Sequence, residues 1–322
     1  MQSGDYSLML DSGTKFFRSL YMWGWFHHPT DKLKTVILHD PEITSCHTQV
    51  GLPHGGVKSL GENLGFVVQT LRSDDKITRD FSVEFVTEGG QRIFHSFYDL
   101  CRDRIERYST PTLTKRFVEE VDRNNWSVLD VGGRSRSRID RSNDFKTSDY
   151  VVLDILPGEN VDIVGDAHTL ASYFPAERFD AFLSVSVFEH LMMPWTVVTQ
   201  LNRVLKMSGV GLVSTHQSLG LHDMPWDFWR FSDTAWDALF NKYTGLEILE
   251  RSLDFDQYLL PFIFRPSKQD AERSVGFEAS AVLVKKIGPS LVEWNLRPSD
   301  ISTTNYPNND DGYKPDGFGD FH

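Results

Sequence analysis

The chain has 322 residues, 40% hydrophobic and 24% charged, with a formal net charge of −12. That composition suits one large folded domain or two ordinary ones, and the negative balance argues against a general grip on nucleic acid, which depends on lysines and arginines neutralising phosphates. Cys46 and Cys101 are the only cysteines, with no CxxC spacing, which excludes a disulfide framework and a cysteine-rich zinc site and fits a reducing compartment.

The first ten residues, "MQSGDYSLML", lack a basic stretch followed by an apolar core. No signal peptide is expected, and no run of 18 apolar residues predicts a membrane span, so a cytoplasmic location is the default. From about Phe16 to Phe97 the pattern is of short alternating strands. "DFSVEFV" puts Phe81, Val83 and Phe85 on one face and Asp80, Ser82 and Glu84 on the other. "TEGGQ" offers a glycine turn and "RIFHSF" a return strand, which together read as a hairpin. "KTVIL" and "GFVVQTL" are further strands, and Trp23 and Trp25 share one face of another. Residues 1–105 are therefore expected to form a small antiparallel β-sandwich.

The texture changes near residue 105. Thr110 and Pro111 read as an N-cap and a first-turn proline, with Leu113, Phe117, Val118 and Val121 at helical spacing behind them. Next come the strands "SVLDV", "YVVLDI", "VDIV", "FDAFLSVS" and "VGLVST". Between the last two, "PWTVVTQLNRVLK" places Trp195, Val198, Leu201, Val204 and Leu205 on one helical face. Apolar strands separated by helices predict an α/β, Rossmann-like parallel sheet covered on both sides. "LEILERSLDF" and "SVGFEASAVLVKK" follow without a clear helix between them and predict an antiparallel edge hairpin. This second domain runs over 106–288, and 289–322 reads as a polar tail.

Four acidic residues sit at or near strand ends: Asp130, Asp154, Asp166 and Asp180. Ligands of open parallel sheets bind outside the carboxyl ends of the strands. Asp154, 24 residues after Asp130, is placed to accept both hydroxyls of a ribose. Asp166, in "VGDAH", is placed to accept from the exocyclic amine of adenine. A dinucleotide's pyrophosphate calls for a GxGxxG loop at a helix N-terminus. The chain instead reads GGRSRS from Gly132, with Arg134 and Arg136 where later glycines would stand. S-adenosylmethionine has no phosphate. Gly132 and Gly133 permit a tight turn beneath its methionine part, and an arginine can pair with its carboxylate. Adenosine plus an amino acid therefore fits this turn better than NAD.

With these residues the stretch from about 110 to 288 resembles a class I S-adenosylmethionine (SAM)-dependent methyltransferase. "VLDVGGRS" matches the first motif, Asp154 the ribose-binding acid and "GDAH" the adenine segment. "FDAFLSVSVFEHL" matches the fourth-strand motif and "LNRVLKMSGVGLVST" the following helix and fifth strand. The resemblance implies a SAM site containing Asp130, Gly132, Gly133, Arg134, Asp154, Ile155, Asp166, Ala167, Ser184 and Glu189. "GENVDIVGDAH", "VFEHLMMPW" and "MPWDFWRFS" are similar to methyltransferases of bacterial surface-polysaccharide assembly. "GWFHHP", "VGLP" and "LGF" are similar to small β-modules joined to glycan-assembly transferases. Together these imply a saccharide or glycan-precursor hydroxyl as acceptor, with a glycosyltransferase or a second copy of the chain as partner.

A sugar hydroxyl needs a base at neutral pH. His216, after the fifth strand, is the first candidate, His190 in "FEHL" the second and His222 the third. Glu189 either orients His190, binds the SAM amino group or makes a structural hydrogen bond. His168 reads as a loop residue near the adenine. Trp226 and Trp229 either present ring faces to a sugar or close a packed lid, Arg230 is placed to hold a charged group, and Phe228 and Phe231 read as lid packing. Ser232 reads as a helix cap. No metal is assigned, since His222, Asp223 and Asp227 have no diagnostic spacing. Competing functions are an NAD-dependent nucleotide-sugar oxidoreductase, a non-catalytic scaffold with a degenerate methyltransferase fold, and a methyltransferase for another small molecule or protein. The missing GxGxxG and the lack of a Tyr-x-x-x-Lys weigh against the first.

Overall fold

The computed structural model describes residues 2–302 except 4, 78, 107, 136–139 and 270–274, so Arg136 and the tail beyond residue 302 lie outside the described residues. The chain divides into two units, Met1–Arg107 and Tyr108–His322.

In the first unit the strands are β1 (Gln2–Ser3), β2 (Tyr6–Phe16), β3 (Ser19–His27), β4 (Leu33–His39), β5 (Ile43–Leu52), β6 (Gly65–Arg72), β7 (Ser82–Thr87) and β8 (Arg92–Ser96), followed by helix α1 (Phe97–Ile105). They form two antiparallel sheets, ordered β1-β2-β3-β6-β5 and β4-β7-β8. Leu8, Met22, Phe66 and Val68 of one sheet and Val36, Val83, Phe85 and Ile93 of the other share a single apolar core. The expected sandwich is therefore present. β2 and β5 add to the strands read from sequence. β2 slips register between Leu10 and Ser12, which breaks its alternation, and β5 carries mostly exposed polar residues. Glu84 lies on the face opposite Phe85, as the alternation predicts, yet it is buried, because Arg92 and His39 cover it. The Arg92 guanidinium, with His39 in support, outweighs burial and holds the Glu84 carboxyl down at about 2.

The second unit is built on β9 (Val128–Val131), β10 (Tyr150–Asp154), β11 (Ile163–Val164), β12 (Phe179–Val185), β13 (Leu205–His216), β14 (Leu246–Tyr258) and β15 (Val275–Lys286). Their order is β11-β10-β9-β12-β13-β15-β14. The first five are parallel, and β15 runs antiparallel between β13 and β14. This is the Rossmann-like sheet with an antiparallel edge that the strand pattern predicts. All four residues of β9 are buried, as suits a strand covered on both faces. Val128, Ala181 and Leu212 pack on one face with Leu113, Phe117 and Val121 of α2 (Thr110–Asn124). Leu129, Phe182 and Val213 pack on the other with Val197, Val198, Leu201 and Val204 of α3 (Pro194–Val204) and with Trp236 of α4 (Ala235–Leu239).

Three local readings need correction. Thr110 is the first helical residue of α2, and its amide is bonded by the Asp254 carboxylate of β14 at 2.6 Å, so the cap comes from across the sheet. α3 ends at Val204 and β13 begins at Leu205, which is thus a strand residue. Strand and helix do not alternate strictly: among the described residues the β9–β10 and β11–β12 connections carry only 3₁₀ turns, at Arg141–Asp144 and Ala167–Ser172.

Candidate active site

From β9 the chain moves outward to β10 and β11, and it then returns to place β12 and β13 on the other side. The gap between the carboxyl ends of β9 and β12 is thus the switch point at which such sheets bind ligands. Gly132 follows β9 with φ +75°, and a Cβ there would lie 2.2 Å from Val187 Cγ2. Both the backbone and the space exclude a larger residue. At Gly133 a Cβ would meet Asp130 Oδ2 at 2.3 Å. The two glycines therefore let the first loop pass close between its neighbours, leaving a cleft of about 140 Å³, open to solvent, at the switch point.

Gly132, Arg134, Asp154, Ile155, Asp166 and Ala167 line this cleft, as do His190 and Trp226. Asp154 ends β10, and its Oδ1 accepts from the Leu156 amide at 2.9 Å. Arg134 sits on this acid rather than apart from it, with Nε 3.4 Å from Asp154 Oδ1. Asp166 Oδ1 takes the His168 amide at 2.9 Å and His168 Nδ1 at 2.6 Å, while His168 Nε2 accepts from the Met193 amide. His168 is thus a buried tie between two loops, as its loop reading implied.

Other expected residues lie behind the cleft. Asp130 is buried, accepts from the Tyr150 hydroxyl at 2.8 Å and lies 3.7 Å from Arg141. Burial pushes its carboxyl up to about 6 against the pull of Arg141. Ser184 is buried, and its hydroxyl donates to the Val131 carbonyl. Asp180 stands at the amino end of β12, bonded to Ser127 and Lys206, so it is remote from the switch point.

Glu189 is also absent from the cleft wall. Its side chain is 0% exposed and sits in a nest of histidines. Oε2 accepts from the Thr215 hydroxyl, whereas Oε1 has no hydrogen-bond partner among the described residues. Oε1 lies 3.2 Å from His216 Nε2 and 3.9 Å from both His190 Nε2 and His222 Nε2. Burial lowers the pKa of His216, with Glu189 opposing. His190 Nδ1 donates to the Trp226 carbonyl at 2.7 Å, and its Nε2 lies 3.9 Å from Asp223 Oδ2. Of the three candidate bases, His190 alone is on the cleft wall.

Residues 140–213 match the family model of a methyltransferase domain, a span that runs from before β10 into β13. Residues 140–213 of the second unit are thus identified as part of a methyltransferase domain. A SAM-dependent methyltransferase from Archaeoglobus fulgidus is 14% identical, covers 59% of this chain and 100% of its own, and has a TM-score of 0.39. Another from Aquifex aeolicus is 14% identical over 57% of this chain and 93% of its own, with a TM-score of 0.38. No curated protein matches the chain.

The residues present fit SAM, which is the cofactor of this domain. The glycine turn leaves the cleft open where a Cβ would drive into Val187, and the Asp154 carboxylate stands on the cleft wall. The methyltransferase adds lining residues that sequence reasoning missed, among them Leu156, Gly165, Ser186 and Val187, with Asp223 weighed there only as a metal ligand. Ser186 and Asp223 have φ of +55° and +49°. Only the position of Ser186 right after a strand end hinted at its place.

The 217–231 segment closes the other side. Trp226 lines the cleft, while Trp229 donates its indole N–H to the Leu191 carbonyl and packs edge-on against Trp195. Phe231 is buried, stacked on Trp236, as the lid reading expected, whereas Phe228 is 37% exposed. Arg230 is not free to hold a ligand. It donates to Asp227 through two nitrogens and to the carbonyls of Leu219, Gly220 and Trp229. Burial works against the Asp227 carboxylate, but Arg230 and His222 together keep its pKa below the ordinary value. Asp227 is therefore committed to Arg230, which removes it from the set His222, Asp223 and Asp227. Ser232 Oγ accepts from the Ala235 amide at the start of α4.

Proposed function

We propose that this methyltransferase acts on a hydroxyl of a saccharide, in a glycan precursor. The observation that carries the reading is His190, whose Nδ1–H is tied to the Trp226 carbonyl while the ring lines the cleft beside Trp226 and Asp223. An imidazole so oriented would serve as a proton acceptor for an alcohol, and an indole face suits the apolar CH face of a sugar. Asp154 and Asp166 would hold the adenosine part, and the Gly132 turn the methionine part. When bound, SAM supplies a methyl group activated by its sulfonium, so that the acceptor oxygen gains the O–C bond as the C–S bond breaks and its electron pair stays on sulfur. His190 Nε2 takes the hydroxyl proton. The loop that Arg230 ties together holds Trp226 in place and shields the cleft from water. His216 and His222, set back from the cleft, serve around Glu189 rather than as the base.

The test is transfer of labelled methyl from SAM to a panel of sugar nucleotides and lipid-linked saccharides, with proteins and small phenols as controls. Transfer to a saccharide, lost by about 10²-fold in turnover in His190→Gln with SAM affinity within about threefold, is the expected result. Transfer only to proteins or phenols refutes the saccharide reading. Full turnover in the variant removes His190 as the base.

A further inference from the structure

We infer that Glu189, His216 and His222 form a site for a divalent transition metal, zinc above all, at the back of the cofactor cleft. The inference rests on the methyltransferase reading only for its role, not for its existence. The donor atoms of these three residues all lie within 4.8 Å of one another. Glu189 Oε1 is 3.2 Å from His216 Nε2 and 3.9 Å from His222 Nε2. Ligands about 2.0–2.1 Å from a tetrahedral zinc stand about 3.4 Å apart, so the two distances to Glu189 Oε1 lie within about half an ångström of that spacing.

The second observation is the carboxylate itself. Glu189 is 0% exposed, and its Oε1, the oxygen that faces the rings, has no hydrogen bond among the described residues. A buried carboxylate oxygen is expected to be paired, hydrogen-bonded or coordinated. The Arg230 guanidinium is already spent on Asp227 and three carbonyls. A cation held between that oxygen and the ring nitrogens would satisfy the carboxylate and use the imidazole lone pairs at once.

The surroundings also orient the ligands. His222 Nδ1 lies 3.1 Å from the Gly220 carbonyl and 3.4 Å from Asp227 Oδ2. Those contacts place the proton on Nδ1 and leave the Nε2 lone pair toward Glu189, the arrangement that metal-bound histidines commonly show. Thr215 steadies the other Glu189 oxygen. Two histidines and one carboxylate leave a position open, as in sites that bind a water or substrate oxygen. The His222 ring is 4.9 Å from that of His190, which lines the cleft, so the site lies beside the cleft wall. There the cation would bind the acceptor oxygen and favour its loss of a proton to His190.

The experiment uses the full chain, stripped with a chelator and titrated by calorimetry with zinc sulfate and, separately, with SAM. One zinc per chain, with a raised melting temperature, is expected. His222→Ala and Glu189→Gln should each weaken zinc binding at least tenfold and leave SAM affinity within about threefold. His222 is partly exposed, so that variant keeps the test decisive if Glu189→Gln does not fold. SAM binding without zinc binding, or variants that bind zinc like the parent, overturns the metal site and leaves the methyltransferase reading intact. Zinc binding that the variants lose, without SAM binding, does the reverse.

Discussion

Asp154 and Asp130 have the same side chain and stand on neighbouring strands, yet their surroundings give them different tasks. Asp154 reaches the cleft and accepts from a loop amide, and in the proposed reading it also accepts ribose hydroxyls. Asp154→Ala is expected to weaken SAM binding about 10- to 100-fold by calorimetry, the worth of hydrogen bonds to a charged acceptor, while cooperative unfolding persists. Unchanged affinity in a folded variant would remove Asp154 from the site. Asp130 is buried beneath the glycine turn with its carboxyl pushed up to about 6. Its folded pKa exceeds the ordinary 3.8, so the folded state holds a proton that the unfolded chain has released. The stability this group contributes is present below the ordinary value and is lost as pH rises through 6. Relative to Asp130→Asn, the parent should lose about 3 kcal/mol between about pH 3.5 and pH 7, read from urea midpoints at each pH. A flat difference would show that Asp130 is ionised throughout.

Helix α2 shows how one element depends on another distant in sequence. Its own first turn supplies Pro111, but the amides of Ser109 and Thr110 are satisfied by the Asp254 carboxylate, at 3.0 and 2.6 Å. The Thr110 hydroxyl donates to the same carboxylate. Asp254→Ala removes this cap and leaves a buried hydroxyl and amides to find new partners, so the unit should lose about 2 kcal/mol. A urea midpoint equal to that of the parent would show that water replaces the carboxylate without cost. The 217–231 segment follows a similar logic, with the Arg230 guanidinium standing in for regular secondary structure.

Across the molecule the two units have separate cores, one closed between two antiparallel sheets and the other split over the faces of a mixed sheet. About 100 residues with a single apolar core are enough for independent folding. Residues 1–107 expressed alone should therefore unfold cooperatively on heating, and 108–322 should bind SAM with the affinity of the full chain. Loss of SAM binding in a folded 108–322 fragment would mean that the first unit contributes to the site. Among the described residues no helix is long and apolar enough to cross a membrane.

Period and composition carried the reading wherever burial was uniform along an element. β9, β10 and β12 are covered on both faces, so they appear as apolar runs; Gly132 follows β9, Asp154 ends β10, and Asp166 follows β11. α3 shows its buried stripe at helical spacing. Local patterns could not reveal what depends on folding back: the register slip in β2, the cover over Glu84, the cap on α2 from β14, or the use of Arg230 inside its own loop. The cluster of Glu189, His216 and His222 belongs to this second kind. Each of the three was legible as a polar residue near a strand end or in a loop. Only the parallel pairing of β12 with β13, and the return of the 217–231 loop over their ends, turns the three toward one point. Such convergence rests on contacts between residues far apart in the chain, and no spacing rule encodes it.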